Sequence, residues 1–210
     1  ESSDIFRTYF SIPKDVKIVL LQGMLIKYRQ IESLVQAFAW IQNPKIALVI
    51  MGDGELKPKL LKIAKRYDLW NKKVYFFPKV PQSQLLQHTQ AADLGIIPYP
   101  ALDLNTQYCT PNKLFEFIQA GLPIIANDLP ELRRYVQDTG FGMVYPMRHS
   151  QDIAQAIELA VQDLENGAWQ KNIQQNAHLY TWKQQSTIYW QAMQPFLTPL
   201  ALKDSYEYCN

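Results

Sequence analysis

Residues 46–54 read IALVIMGDG. The first six are apolar without interruption, and Gly52-Asp53-Gly54 closes the run. A half-exposed strand would alternate apolar and polar positions. An unbroken apolar run of this length fits a strand covered on both faces, as in a parallel sheet between two helix layers. The flanking residues agree. Upstream, residues 16–21 (VKIVLL) form a strand candidate, and Ile31, Leu34, Val35, Phe38 and Ile41 recur at helical spacing. Downstream, residues 56–67 read as a helix, with Pro58 acceptable in its first turn.

The alternation continues along the chain. Residues 74–77, 94–97, 122–126 and 142–145 are further strand candidates. Between them Pro81 opens a helix to about residue 92, and Pro130 opens a short one. Residues 101–110 read as a loop. Thr110 is the predicted N-cap of the next helix, with Pro111 at its first position and Gly121 as its stop. Ser150 caps a helix to residue 164 that Gly167 breaks. About six strand–helix cycles predict an α/β fold: a single doubly wound, Rossmann-like parallel sheet of about six strands with helices on both faces. Residues 16–165 form that domain, residues 166–198 a C-terminal helical extension, and residues 199–210 a loose tail.

The chain has 210 residues, 48% of them apolar and 19% charged, which excludes intrinsic disorder. Lys and Arg total 21 against 19 Asp and Glu, a net charge of +2. That balance argues against a nucleic-acid partner but leaves room for a phosphate pocket made by two or three cations. No apolar run approaches a membrane span. Cys109 and Cys209 are too far apart in sequence to suggest a disulfide framework or a zinc site, so a reducing compartment is expected. His88, His149 and His178 show no ligand spacing. The polar start, Glu1-Ser2-Ser3-Asp4, fits neither a signal peptide nor an initiating Met, and suggests a fragment or a processed chain.

Ligands of doubly wound sheets bind at the carboxyl ends of the strands, and three such ends carry candidate chemistry. Gln22-Gly23 is followed by Arg29: glycine permits close backbone approach, and arginine can clamp a phosphate. Alternatively, these are a turn glycine and a solvated arginine. Gly52-Asp53-Gly54 is not a dinucleotide fingerprint, and a tight turn explains it equally well. The third, NTQYCTPNKLFEFIQAG over residues 105–121, places Asn112 and Lys113 in the first turn of a helix. The free N–H groups and dipole there favour an anion. Glu116 follows three residues later on the same face, roughly 4.5 Å along the axis. Phosphates would meet the N–H groups and Lys113, while the carboxylate would accept two ribose hydroxyls. A surface ion pair between Lys113 and Glu116 is the competing reading.

PNKLFEFIQAGLPIIANDLPEL resembles the carboxyl-terminal, donor-binding domain of GT-B glycosyltransferases in the family-four-like group (glycosyl transferases group 1). These typically read P-x-K-x-x-E-x-x-x-x-G-x-P-V-I-A. QGMLIKYRQIESLVQAF, LVIMGDGELKPKLLKIA, VYFFPKVPQSQLLQHTQAADLGIIPY and GFGMVYP resemble further segments of that group, in order, over about residues 15–165. The resemblance implies retaining transfer of a sugar from a nucleotide-diphosphate sugar, such as a UDP-sugar, to an acceptor. It implies that the Gly23 N–H, Arg29, Lys113 and the N–H groups of Lys113 and Leu114 face the pyrophosphate. Glu116 would hold the ribose, and the loop containing Val80 would meet the base. Arg29 and Lys113 would act catalytically by stabilising the leaving diphosphate. No D-x-D occurs, in keeping with an enzyme that needs neither a metal nor a resident cofactor.

Two positions depart from the pattern. Tyr108 stands where many relatives carry a sugar-contacting glutamate, which makes Asn105 a candidate replacement. Gln30 stands where glycine usually follows the arginine. The resemblance also implies one half of a GT-B fold. Residues 1–15 would be an interdomain linker remnant. An acceptor glycan or lipid-linked acceptor would bind through an amino-terminal domain. The helices carrying Trp182, Tyr189 and Trp190 either reach toward that domain or cap this one. Such a chain alone would bind donor weakly and turn over little. Its expected location is the cytoplasm, or peripheral at the inner surface of a membrane. A non-hydrolysing sugar-nucleotide 2-epimerase half and a degenerate, non-catalytic nucleotide-binding or assembly domain are the alternatives.

Overall fold

The computed structural model describes residues 4–204. In chain order the elements are α1 (Ile5–Phe10), β1 (Lys17–Gln22), α2 (Ile31–Ala37), β2 (Ile46–Met51), α3 (Lys57–Arg66) and β3 (Val74–Phe77). Then follow α4 (Gln82–Thr89), β4 (Leu94–Ile97), α5 (Leu104–Gln107), α6 (Asn112–Ala120), β5 (Ile124–Asn127) and α7 (Pro130–Leu132), which continues as a π-helical segment, Arg133–Gln137. β6 (Gly142–Tyr145), α8 (Ser150–Leu164), α9 (Ala168–Asn176), a 3-10 turn (Ala177–Tyr180) and α10 (Trp182–Asp204) complete the described residues.

The six strands form one sheet in the order β3-β2-β1-β4-β5-β6, parallel throughout. This is the doubly wound sheet the alternation predicts. The unbroken apolar run of β2 has its expected cause. Leu48 and Ile50 enter one core with Leu34, Phe38 and Ile157, while Ala47, Val49 and Met51 enter the other with Phe6 and Phe117. The order reverses between β1 and β4. These strands pair only at Val19↔Leu94 and Leu20↔Gly95, although both continue beyond those residues. The crevice between their carboxyl ends is where a ligand of such a sheet sits.

Several local expectations are corrected. β1 ends at Gln22 rather than residue 21, which puts a polar side chain inside the strand. α6 is capped by Pro111, in extended conformation, and not by Thr110. α8 begins at Ser150 with His149 before it, and the Asp152 carboxylate accepts the His149 N–H at 2.8 Å. The predicted loop over residues 101–110 contains α5, whose start is fixed by Asp103 accepting the Thr106 N–H at 2.7 Å.

Residues 1–15, read as a linker remnant, include α1, whose Phe6 is completely buried. At the other end, α10 runs through residue 199 to Asp204, where a loose tail was expected; the remainder of that tail lies outside the described residues. Trp182, Tyr189 and Trp190 are 81%, 58% and 59% exposed, so they do not cap this domain's edge. Tyr180 does that instead, edge-on to Phe141 and Tyr135.

Candidate functional site

Two adjoining clefts open at the β1/β4 crevice. One, of about 390 Å³, is lined by Arg29, Tyr99, Asn112 and Lys113. The other, of about 270 Å³, is lined by Met51, Asp53, Val80 and Leu85. Gln22, Gly23 and Glu116 line both. Sites nearly a hundred residues apart are thus joined by the parallel topology.

Gly23 leaves β1 with φ +112°, a conformation that side-chain-bearing residues rarely adopt. The Lys113 ammonium rests against it, 3.7 Å from where a Cβ would be. The Gly23 N–H does not face the cleft, however. It donates to the Met51 carbonyl at 3.0 Å, which extends the β1–β2 ladder by one rung. The expected pyrophosphate contact through that amide is therefore corrected. Leu114 is corrected likewise: its side chain is fully buried, and its N–H donates to the Pro111 carbonyl at 2.9 Å.

Glu116 and Lys113 do not form the surface ion pair that competed with the ligand reading; among the described residues Lys113 has no ion-pair partner. Glu116 instead accepts a hydrogen bond from the Gln22 amide at 2.6 Å. The Thr89 hydroxyl donates to the other end of that amide at 2.8 Å. A carboxylate offers about four lone-pair positions. One is taken, and the others remain for hydroxyl donors.

Tyr99 joins the two cations. The Arg29 guanidinium carbon lies 4.2 Å from its ring centroid, and the Lys113 ammonium 5.2 Å from it. Cations are attracted to the face of such a ring. Behind it, the Asn127 side chain donates to the Tyr99 carbonyl at 2.8 Å and accepts the Met147 N–H at 2.8 Å. Burial raises the Tyr99 phenol above its ordinary range, while nearby Arg29 acts against it. Burial also pushes Lys113 down to about 8; nearby Arg29 acts in the same direction and Glu116 opposes it. A cation that is hard to keep charged while the cleft is empty is one that an incoming anion would stabilise.

Arg29 sits between two left-handed residues, Tyr28 (φ 65°) and Gln30 (φ 58°). Glycine would take the second conformation without strain. Gln30 takes it with its side chain tethered: the amide donates to the Met147 carbonyl at 2.7 Å and to that of Arg148 at 3.3 Å. The departure from glycine is thus accompanied by a tether from the Arg29 turn to the segment that precedes α8.

Val80 lines one cleft and Asn112 the other. Asn105 lies on α5, exposed and outside both linings. Gly52-Asp53-Gly54 is a turn with a purpose. The Asp53 carbonyl accepts the Leu25 N–H at 2.9 Å, and the Leu25 carbonyl accepts the Leu56 N–H at 3.0 Å, so the loops after β1 and β2 interlock. Thr89, Tyr99 and Asn127 were not singled out in the sequence, and Gln22 was named only as the residue before Gly23, with no role of its own. The one available signal was a glutamine ending an apolar strand. A wider groove of about 1010 Å³ lies on the flank, among Leu86, Phe115, Tyr135 and Trp182; it shares Glu116, Gln82 and Leu85 with the second cleft and is also lined by Thr89. Its cation, Arg134, already faces Glu131 at 3.8 Å. Among the described residues no three His, Cys, Asp or Glu side chains are grouped to hold a metal ion, and no helix is long and apolar enough to cross a membrane.

The family model for glycosyl transferases group 1 matches residues 2–179. The chain belongs to that family. This group 1 chain is 28% identical over 153 residues to the alpha-monoglucosyldiacylglycerol synthase of Streptococcus pneumoniae, covering 72% of itself and 33% of that protein. It therefore spans about a third of that curated relative. Its fold matches Anabaena HepE, solved with UDP and glucose, at a TM-score of 0.75 and 18% identity, over 93% of this chain and 52% of that one. It also matches the sucrose-phosphate synthase of Thermosynechococcus elongatus at a TM-score of 0.72 and 23% identity, over 93% of this chain and 48% of that one. The domain is the Rossmann-like half of a GT-B fold.

Proposed function

We propose that this chain is the donor-binding domain of a retaining glycosyltransferase, which moves a sugar from a nucleotide-diphosphate sugar to an acceptor. The observation that carries the reading is the convergence of Arg29, Lys113 and Glu116 at the switch point of the sheet. Two cations beside a helix N-terminus suit a diphosphate, and a carboxylate one turn deeper suits a ribose. Charge grows on the diphosphate as the sugar leaves. Arg29 and Lys113, already held against Tyr99, would stabilise that charge without reorganising. The reading calls for no resident metal or cofactor, because these groups supply the positive charge.

UDP is the first nucleotide to test, since HepE is described with UDP, glucose and UDP-glucose. The pneumococcal relative is named for a glucosylated diacylglycerol, which directs the acceptor search to lipids as well as glycans. The acceptor would be met by a partner domain, and the whole enzyme would work in the cytoplasm or at the inner face of a membrane. The epimerase alternative needs acid/base carboxylates and histidines of its own in the cleft. Here His88 packs against Phe77 at 5.3 Å and Phe6 at 6.3 Å, and neither His149 nor His178 lines either cleft.

Calorimetric titration with UDP, GDP and ADP tests the reading. One of them should bind at high micromolar to millimolar Kd, about −4 to −6 kcal/mol, with binding lost in Glu116→Ala. Absence of binding by all three would favour the degenerate assembly domain. Turnover by a longer protein containing this domain separates that alternative independently.

A further inference from the structure

Gln22 is 2% exposed and Thr89 is fully buried. A buried amide is costly unless both its ends are bonded. Here both are: Thr89 Oγ1 donates to Gln22 Oε1 at 2.8 Å, and Gln22 Nε2 donates to Glu116 Oε2 at 2.6 Å. Chemistry sets the direction of this relay. A carboxylate only accepts, so the amide nitrogen must face Glu116 and the amide oxygen must face the hydroxyl. Thr89 is itself located by its place in α4; its single hydroxyl proton is shared between Gln22 Oε1 and the Leu85 carbonyl, 2.9 Å away. One carboxylate oxygen is thereby held by a chain of hydrogen bonds that starts in a neighbouring helix.

We propose that Gln22 is a positioning residue for Glu116, with Thr89 as its anchor. The relay fixes the carboxylate plane so that Oε1 and the remaining lone pair of Oε2 meet two adjacent hydroxyls of a ribose. This rests on the donor-site reading above and adds a specificity element to it. A site built to bond a hydroxyl rejects the analogue that lacks it, but only when the acceptor is preorganised. Without the relay Glu116 keeps its charge and loses its fixed orientation. Discrimination between ribose and 2′-deoxyribose should then fall further than affinity for the diphosphate.

The test is calorimetric titration of the 210-residue chain with UDP, GDP and ADP and the 2′-deoxy counterpart of each. The wild type is compared with Gln22→Met, Thr89→Val, Thr89→Ser and Glu116→Ala, with thermal unfolding as the check on folding. The wild type should prefer the ribonucleotide about tenfold or more. Gln22→Met should compress that preference to within about twofold, Thr89→Val should fall between, and Thr89→Ser, which keeps the hydroxyl, should restore it. If Gln22→Met does not fold, the Thr89 pair decides. A merely structural role would weaken ribo- and deoxyribonucleotide in proportion and leave their ratio unchanged. That result, or full discrimination in Gln22→Met, overturns the proposal alone. Failure of the wild type to bind any of the six nucleotides overturns the donor-site reading and this proposal with it.

Discussion

The guanidinium of Arg29 lies over the face of Tyr99, 4.2 Å from the ring centroid. The two residues come from different loops at the β1/β4 crevice, and the ring holds the arginine where a diphosphate would meet it. A partly desolvated cation–ring contact contributes about 1–2 kcal/mol. Tyr99→Leu should therefore weaken nucleotide binding about five- to thirtyfold, while Tyr99→Phe, which keeps the ring, should stay within about twofold. Equal losses in both variants would shift the role from the ring to the hydroxyl. Calorimetry on the two proteins separates these outcomes.

Lys113 makes opposite demands on stability and on binding. Burial lowers it from 10.5 to about 8, so between those values the folded protein has released a proton that the unfolded chain retains. Folding stability from this group should rise as pH passes upward through that window. Affinity for a diphosphate should fall over the same range, because the deprotonated amine no longer attracts the anion. From pH 7 to 9 the urea midpoint and the nucleotide Kd should therefore both rise, stability gaining while affinity is lost. Lys113→Met should flatten both trends. A Kd that does not change with pH in the wild type would remove Lys113 from the anion site.

Much of this was legible in the sequence because two strong signals coincide. The uninterrupted run 46–51 fits a strand covered on both faces, and about six strand–helix cycles then imply a parallel sheet between helices. Lys113 and Glu116 were readable because helix geometry fixes their relation from three residues of spacing. Gln22, Thr89, Tyr99 and Asn127 were not, because no local period relates them. They meet only after β1, β4 and β5 have become neighbours in the sheet. The Gly23 amide misled for a similar reason. Its partner, Met51, is set by strand register, which a glycine after an apolar run does not reveal. α1 was missed because six residues are too few to show a period, and what holds the helix is a contact distant in sequence.

That contact supports a stability prediction. Arg7 donates to the Val16 carbonyl at 3.0 Å and pairs with Asp93 at 2.8 Å, and both side chains are mostly buried. Asp93 also accepts the Ile18 N–H at 2.7 Å. Removing one partner of such a pair strands the other charge and costs about 3–5 kcal/mol when burial is complete. With partial exposure, Arg7→Ala should lower the unfolding free energy by about 2 kcal/mol. Nucleotide affinity should be unchanged, because α1 lines neither cleft. Urea unfolding and calorimetry of the same variant check both halves.

Gly52 tests the interlocked loops. A Cβ there would sit 2.0 Å from the Gly23 carbonyl oxygen, which is backbone and cannot rotate away. The position also carries φ +155°, so alanine would be both crowded and strained. Overpacking typically costs about 1–3 kcal/mol. Gly52→Ala should lose at least that much stability, and its damage should not stay local. To admit the methyl group, the Gly23 turn must shift, and Gly23 is the surface against which the Lys113 ammonium rests. Nucleotide binding should therefore weaken about tenfold or more, although Gly52 carries no side chain to touch a ligand. Gly121→Ala is the control: a Cβ there meets nothing within 4 Å, while φ is +73°. It should cost about 1 kcal/mol from backbone strain and leave binding intact. Retained affinity in Gly52→Ala would mean that the two loops do not position the site together.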